Sequence, residues 1–172
     1  MKPLKTDVAF ETPWFQLLAK TYREGEPPYY TLHVRDYVSI LALTAEGRVL
    51  IVRQYRPAAK QYTYELPCGL IDPGEQPVDT ARRELVEETG YQAGEVEVLG
   101  TMLVDSGRIE NTAWTVLARG VRPVEGAAVE EGLEVFTWTV DEVVQATMDG
   151  RFAHSLHVAI VWLAMLKGHL QT

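Results

Sequence analysis

Residues 69–91 read GLIDPGEQPVDTARRELVEETGY, a loop with Gly and Pro that continues into a helix-forming segment. Glu84, Glu87 and Glu88 are spaced i, i+3 and i+4, which puts their carboxylates on one face of a helix. Like charges at this spacing destabilise an isolated helix, and a divalent metal ion bound by carboxylate oxygens would offset them. The other interpretation is a solvated acidic face, the usual meaning of a Glu-rich helix. The spacing alone leaves both open.

The full pattern favours the metal site, because it resembles the Nudix box. That box is a glycine, five residues, a glutamate, seven residues, Arg-Glu, an apolar residue, any residue, Glu-Glu, any residue, and a glycine followed by an apolar residue. The residues in register are Gly69, Glu75, Arg83, Glu84, Leu85, Glu87, Glu88 and Gly90. Seven identities at fixed spacing arise by chance on the order of 10⁻⁸ times per starting position. Tyr91 is a departure, since the family usually has an aliphatic residue there.

The resemblance implies hydrolysis of a nucleoside diphosphate linked to another group, with Mg²⁺ or Mn²⁺ as the cofactor. Carried over by position, Glu84 and Glu88 would bind the metal, and Glu87 would bind it or assist. Glu75 would reach the same metal cluster or pair with Arg83, which would hold the loop against the helix. Carboxylates, retained waters and substrate phosphates are the ligands that Mg²⁺ prefers.

Two flanking runs look like those of the ADP-ribose and ADP-sugar diphosphatases. They are VRQYRP at 52–57 and YELPCGLIDPGE at 64–75. In that branch the arginine that matches Arg56 contacts the diphosphate. The position of Glu65 is also functional there, and the alternative for Glu65 is an ion pair with a nearby cation. The backbone carbonyl before the box glycine is often a further metal ligand, which here is the carbonyl of Cys68.

The N-terminal segment, residues 1–37, reads as an antiparallel hairpin appended to a main domain of residues 38–172. Apolar residues from 10 to 18 suggest a first strand, Gly25–Pro28 a turn, and Tyr29–Val34 a returning strand. Because a lone hairpin is marginal in water, we expect it to pack on the main body or on a second subunit.

The same resemblance gives the hairpin a function. In the ADP-ribose branch it crosses to a second subunit, and its aromatic side chains sandwich the nucleobase. The matching residues are Trp14 and Tyr30, with Arg35 as a base or phosphate contact. This implies a homodimer. The alternative for these aromatics is packing within the hairpin, and both interpretations stay open.

Two loops bear on catalysis and on the substrate. ADP-ribose enzymes commonly place the general base on the loop before the last strand, and counting back from that predicted strand favours Glu131 over Glu130. The alternative for both is a solvated loop charge. The branch usually has a proline sixteen positions after the final box glycine, where this chain has Ser106. This departure leaves GDP-mannose, other nucleoside diphosphate sugars and oxidised nucleoside diphosphates open as substrates.

The remaining elements alternate along one domain. The expected strands are 37–44, 49–54, 95–104, 112–119 and 133–139, and the expected helices are about 77–90, 139–150 and 155–167. This order favours an α/β fold with a mixed sheet between helices. The Nudix resemblance implies the same α/β/α sandwich.

Composition and charge indicate which binding partners and which cellular compartment to expect. The net charge of −8 argues against nonspecific binding to nucleic acid or acidic membranes. The longest apolar run, Val158–Leu166, is too short to span a membrane. A single cysteine and an N-terminus without an apolar signal segment favour the cytoplasm. The histidines form no metal-ligand or triad pattern and are expected to be structural or surface residues; they are His33, His154, His157 and His169.

Together these features predict a metal-dependent hydrolase of an ADP-ribose-like nucleoside diphosphate sugar. Its products would be a nucleoside monophosphate and a sugar phosphate. One alternative is a Nudix hydrolase of GDP-mannose or another nucleoside diphosphate derivative. Another is a nucleotide sensor without catalysis, although such proteins usually lose box carboxylates and this chain keeps all of them.

Overall fold

Twelve strands and three helices follow one another along residues 1–171, the part of the chain that this computed structural model describes. The strands are β1 (Lys5–Glu11), β2 (Phe15–Thr21), β3 (Tyr29–Val34), β4 (Tyr37–Thr44), β5 (Val49–Arg56), β6 (Gln61–Glu65), β7 (Cys68–Leu70), β8 (Tyr91–Gln92), β9 (Glu95–Met102), β10 (Ile109–Glu110), β11 (Ala113–Pro123) and β12 (Glu134–Trp138). The helices are α1 (Pro77–Thr89), α2 (Val140–Met148) and α3 (Ser155–Leu166).

The central sheet has eight strands. Its main path runs β12-β5-β4-β11-β8, while β6 pairs with β5, β7 with β4, and β9 with β11. Strands β4 and β11 are parallel, and the other pairs in this sheet are antiparallel. The sheet is therefore mixed, as the sequence predicted.

Helices cover both faces of this sheet, because successive side chains of a strand point to opposite sides. From β4, Val38, Ile40 and Ala42 pack in a cluster with apolar residues of α1. Leu41 and Leu43 pack in a second cluster with residues of α2 and α3. The predicted α/β/α sandwich is confirmed, with α1 on one face and α2 and α3 on the other.

The box helix α1 begins and ends at residues that the sequence marks. Pro77 occupies the first turn, where its missing N–H would have no partner in any case. Gly90 follows the last turn with φ of 72°, and its N–H donates to the carbonyl of Val86. The predicted end at Gly90 is therefore confirmed. Among residues 1–171, none of the helices combines the length and apolar character needed to cross a bilayer.

A second sheet contains the N-terminal segment. Its strand order is β1-β2-β3-β10, with β3 and β10 parallel. The returning strand Tyr29–Val34 is present as predicted. The single strand expected across residues 10–18 is wrong, because a turn at Thr12 divides it. The Thr12 hydroxyl oxygen accepts the backbone N–H groups of Trp14 and Phe15 at 3.1 and 3.0 Å, which reverses the chain between β1 and β2.

Candidate active site

Arg83 of α1 joins the box loop to the box helix. Its guanidinium donates to both carboxylate oxygens of Glu75 at 3.1 and 2.9 Å. It also donates to Glu84 at 2.7 Å, to Glu87 at 3.1 Å and to the backbone carbonyl of Leu70 at 3.2 Å. The bonds from Arg83 hold the pKa of Glu75 at about 2. Of the two roles left open for Glu75, the geometry therefore shows the pair with Arg83.

Glu88 is the most enclosed carboxylate of the box, with 7% of its surface exposed. One of its oxygens accepts the backbone N–H of Cys68 at 2.9 Å. Burial, together with the nearby charges of Glu84 and Glu130, raises the pKa of Glu88 to about 8. Burial also raises the pKa of Glu84, against the opposing effect of its bond from Arg83. These two carboxylates are therefore held close together with incomplete compensation of their charge.

Strand β7 lies directly against these carboxylates. A Cβ atom on Gly69 would lie 1.9–2.4 Å from the carboxyl atoms of Glu84, so a side chain here would displace that carboxylate. The next residue back, Cys68, has its thiol sulfur 3.9 Å from a guanidinium nitrogen of Arg56. Burial raises the pKa of the Cys68 thiol well above its ordinary range, so the thiol stays protonated and unreactive. Cys68 thus serves the site through its backbone.

Arg56 and Glu65 form a bidentate ion pair between β5 and β6. The two N–O distances are 2.8 and 2.6 Å. Glu65 is 1% exposed, whereas the Arg56 side chain is 41% exposed. Burial alone would raise the pKa of Glu65, but bonds from Arg56 and from the Thr63 hydroxyl hold it at about 2. The pair proposed as the alternative for Glu65 is thus present, and it leaves the outer side of the guanidinium free to meet an anion.

One cavity of about 380 Å³ connects these groups. It is lined by Tyr37, Arg56, Glu65, Cys68, Gly69, Leu70, Glu88, His154 and His157. The cavity therefore has an acidic end at the box helix and a cationic group at the end of β5. Trp14, Tyr30 and Ser106 are not among its lining residues.

The two cavity histidines come from the start of α3. His157 is buried, and its Nδ1 accepts the backbone N–H of Leu66 at 3.1 Å. The ring of His154 stacks on that of His157 with centroids 4.0 Å apart. The sequence predicted that these histidines are structural or surface residues, with no role in the site. Their i, i+3 spacing at a helix start was the one feature of the sequence that indicated a shared face. Ligand atoms of both histidines and of Glu65 lie within 4.8 Å of one another, but the Nδ1 lone pair of His157 is already used.

The loop before β12 reaches the box helix through Glu130. Its backbone N–H donates to the carbonyl of Glu87 at 3.0 Å. Its carboxylate charge contributes to the raised pKa values of Glu84 and Glu88. Glu131 is exposed on the same loop. The loop expected to supply the general base therefore does lie beside the box, and the choice of Glu131 stays a prediction.

The segment that follows β3 contacts the box loop through an ion pair. Arg35 donates to Asp72 at 3.0 Å. Trp14 and Tyr30 are 70% and 47% exposed, and Ser106 is also exposed. Within one chain, the structure thus brings Arg35 to the box loop and leaves the two aromatics facing outward. Their predicted contact with a nucleobase stays a prediction.

The donor set fits a divalent metal ion. Carboxylates are the ligands that Mg²⁺ and Mn²⁺ favour, and Glu84 and Glu88 offer them with charge that the protein leaves partly uncompensated. The residues that would hold the ion are these two, with Glu87 and the Cys68 carbonyl as the further ligands expected from the sequence. The raised pKa of Glu88 indicates that the site suits a cation, because a bound cation would favour the ionised carboxylate.

These features define a class: α/β/α proteins that set a carboxylate-bearing helix and a glycine-containing strand against one cavity. Within that class, the chain belongs to the NUDIX domain family, whose model matches residues 33–158. Members of this family generally need a divalent metal ion. The family predicted from the sequence is confirmed.

Relatives support the predicted branch. The chain is 31% identical over 137 residues to the methanol dehydrogenase activator of Bacillus methanolicus, covering 78% of this chain and 74% of that protein. It is 32% identical over 112 residues to the ADP-ribose pyrophosphatase of Bacillus subtilis, covering 65% of this chain and 58% of that protein. A crystal structure of an ADP compounds hydrolase superposes with a TM-score of 0.80 at 23% identity, covering 98% of this chain and 96% of that one, which shows a shared fold.

The raised pKa of Glu88 predicts a pH dependence of stability in metal-free protein. Because its pKa is about 8 in the folded protein and near 4.5 in an unfolded chain, its stabilising contribution is complete below pH 4.5 and lost as the pH rises through 8. The loss is at most about 1.4 kcal/mol per pH unit. We expect the free energy of unfolding in EDTA to fall less steeply between pH 5 and 8 for Glu88→Gln than for wild type.

Urea titrations at several pH values measure this slope. Glu95→Gln, which changes an exposed carboxylate of β9, is the control and should keep the wild-type slope. Added Mn²⁺ should restore stability to wild type at high pH, since the cation favours ionised Glu88. Equal slopes for wild type and Glu88→Gln would contradict the assignment of this proton to Glu88.

Proposed function

We propose that this protein is a metal-dependent Nudix hydrolase of an ADP-ribose-like nucleoside diphosphate sugar, with Mg²⁺ or Mn²⁺ as its cofactor. The observation that carries the proposal is that Glu88 of the box and Arg56 of β5 line the same cavity. An acidic end that fits a cation and an arginine that fits an anion are the two requirements for binding a diphosphate. The name of the Bacillus subtilis relative, ADP-ribose pyrophosphatase, supports this substrate class.

Different residues of the chain would bind the metal ion and the diphosphate. Glu84 and Glu88, with Glu87 and the Cys68 carbonyl, would hold the metal ion, which would supply charge neutralisation of the diphosphate and a lower pKa of water. Arg56 donates to a diphosphate oxygen from its exposed side, while Glu65 fixes the plane of its guanidinium.

In the reaction itself, a water oxygen bonds to one phosphorus, and the bridging P–O bond breaks. The water's proton passes to a carboxylate. The products are a nucleoside monophosphate and a sugar phosphate.

Glutamates of the loop before β12 are the candidates for that carboxylate. Counting from the strand favours Glu131, as the family resemblance implies. The contact of the Glu130 backbone with Glu87 and the effect of its charge on Glu84 support Glu130 instead. Either residue would act as the general base toward water beside the box.

The substrate is less sharply defined than the reaction. Ser106 replaces the proline that the ADP-ribose branch usually has, and this favours GDP-mannose or another nucleoside diphosphate derivative as a second candidate substrate. A sensor without catalysis is disfavoured by the complete set of box carboxylates. The single cysteine and the net charge of −8 support the cytoplasm as compartment and argue against nucleic acid and membrane partners.

A panel of nucleoside diphosphate sugars with Mg²⁺ tests the activity. We expect wild type to release a nucleoside monophosphate from ADP-ribose, read by phosphate release after phosphatase coupling. Glu88→Gln should lower kcat by roughly 100-fold or more, because metal binding supplies several kcal/mol of transition-state stabilisation. The control Glu97→Gln removes a carboxylate of β9 that pairs with Arg119, and should leave kcat unchanged. No turnover of any diphosphate by wild type would sink the proposal.

The general base is tested by two neighbouring variants, Glu130→Gln and Glu131→Gln. The variant that removes the base should lower kcat by roughly 100-fold or more, with little change in KM. Its neighbour serves as the control for changing the charge of the loop. The pH profile of kcat should also lose its acidic limb in the affected variant alone. If both variants keep wild-type kcat, the base does not come from this loop.

We further propose that the chain forms a homodimer in which Trp14 and Tyr30 bind the nucleobase. Tyr30 of β3 and Trp14 of the turn before β2 are both exposed, and this supports the proposal because Tyr and Trp are enriched at interfaces. Neither residue lines the cavity of its own chain, so their contribution would go to the cavity of a second copy. Arg35, which follows β3, would add a base or phosphate contact.

Trp14→Ala tests the role of this sheet. We expect KM for ADP-ribose to rise by roughly 10-fold with kcat nearly unchanged, because a stacked aromatic contributes about 1–3 kcal/mol to binding a base. Trp162→Ala is the matched control, since Trp162 is 61% exposed on α3. Light scattering should give the mass of a dimer for wild type. A monomer with full activity would exclude the shared arrangement.

A further inference from the structure

His157 of α3 makes a buried contact that ties the C-terminal helix to the site. Only 1% of its surface is exposed. Its Nδ1 accepts the N–H of Leu66 at 3.1 Å, and its Nε2 lies 3.3 Å from the Ser39 hydroxyl oxygen. Because Nδ1 must present a lone pair to an N–H, the ring proton sits on Nε2, which donates to Ser39. One imidazole thus bridges α3, the connection between β6 and β7, and β4.

The contact matters to the site because of the position of Leu66 in the chain. It is fully buried, so its N–H would have no water as a substitute partner. The residue immediately before Leu66 is Glu65, whose carboxylate accepts two hydrogen bonds from Arg56. Two residues after Leu66, the N–H of Cys68 holds Glu88. The turn from Glu65 to Cys68 therefore sets the spacing between the anion-binding arginine and the metal-binding carboxylate.

The neutral ring is the form that this contact needs. A proton on Nδ1 would point at the N–H of Leu66, so protonation would break the bond. Burial, together with the neighbouring ring of His154, lowers the pKa of His157 to about 3. His157 therefore stays neutral through the physiological range, with one nitrogen accepting and the other donating.

We propose that His157 is a positioning residue that holds the turn from Glu65 to Cys68 in the shape that hydrolysis requires. This inference rests on the proposed function. His157 acts through the backbone of Leu66. Displacements of about 1 Å in a catalytic group cost up to roughly 100-fold in rate, so a contact that fixes two groups at once has a large effect.

Two variants of His157 separate the polar contact from the packing. His157→Leu keeps an apolar volume but offers nothing to the N–H of Leu66. In His157→Asn, the amide oxygen stands where Nδ1 stood and accepts that N–H. We expect His157→Leu to lower kcat, per folded molecule, by roughly 10- to 100-fold, as lost supporting contacts of a metal site do. His157→Asn should recover most of that loss.

Lys167→Met is the matched control at the other end of the same helix. Lys167 Nζ donates to the backbone carbonyl of Leu99 at 2.6 Å, which ties the end of α3 to β9 away from the cavity. Its loss should lower Tm without changing kcat. If His157→Leu behaves in the same way, or if His157→Asn restores none of the kcat, the positioning role is overturned.

Two readouts do not depend on hydrolysis. In wild type, ¹⁵N spectra of the imidazole should show Nε2 protonated and Nδ1 unprotonated from pH 5 to 8, as a pKa of about 3 requires. Mn²⁺ affinity, measured by electron paramagnetic resonance, should fall by roughly tenfold or more in His157→Leu. If wild type hydrolyses no diphosphate, the proposed function fails. The Mn²⁺ affinity of His157→Leu still tests the positioning role of His157: a tenfold loss supports that role, and an unchanged affinity overturns it.

Discussion

Repulsion among the carboxylates of α1 is the constraint on which the site depends. Arg83 reduces this repulsion at the outer face, where it binds Glu75, Glu84 and Glu87 and ties the box loop to the helix. Among residues 1–171, Arg83 makes no hydrogen bond to Glu88, which faces inward and accepts the backbone N–H of Cys68. The fold thus pairs part of the acidic charge with Arg83 and leaves Glu88 at the inner end of one cavity.

The central sheet brings the opposing charge to the same cavity. Arg56 lies at the end of β5, and β6 returns beside it with Glu65 buried underneath. The helix α3 closes the wall with His154 and His157. The acidic and the cationic groups of the cavity therefore come from different elements, α1 for Glu88 and β5 for Arg56. This arrangement explains why a rigid sandwich, rather than an isolated helix, is needed around the box.

Local features were the ones that the sequence predicted well. The box register, the end of α1 at Gly90 and the apolar run of β4 each depend on residues that lie close together in the chain. The turn at Thr12 was missed, because a hydroxyl bonding to two backbone N–H groups leaves no periodic signal. His157 was missed because its partner Leu66 is 91 positions away. For the general base, counting residues does not reveal which loop carboxylate turns toward the helix.

The first strand of the appended sheet has a consequence of its own. Every residue of β1 is exposed, and among residues 1–171 no strand pairs with its outer edge. An open edge of this kind is a template for strand addition, and at high concentration it promotes aggregation. Lys5, Asp7 and Glu11 place charges of both signs along it, which discourages indiscriminate pairing. Charges of both signs along this edge thus oppose pairing with strands that cannot match them.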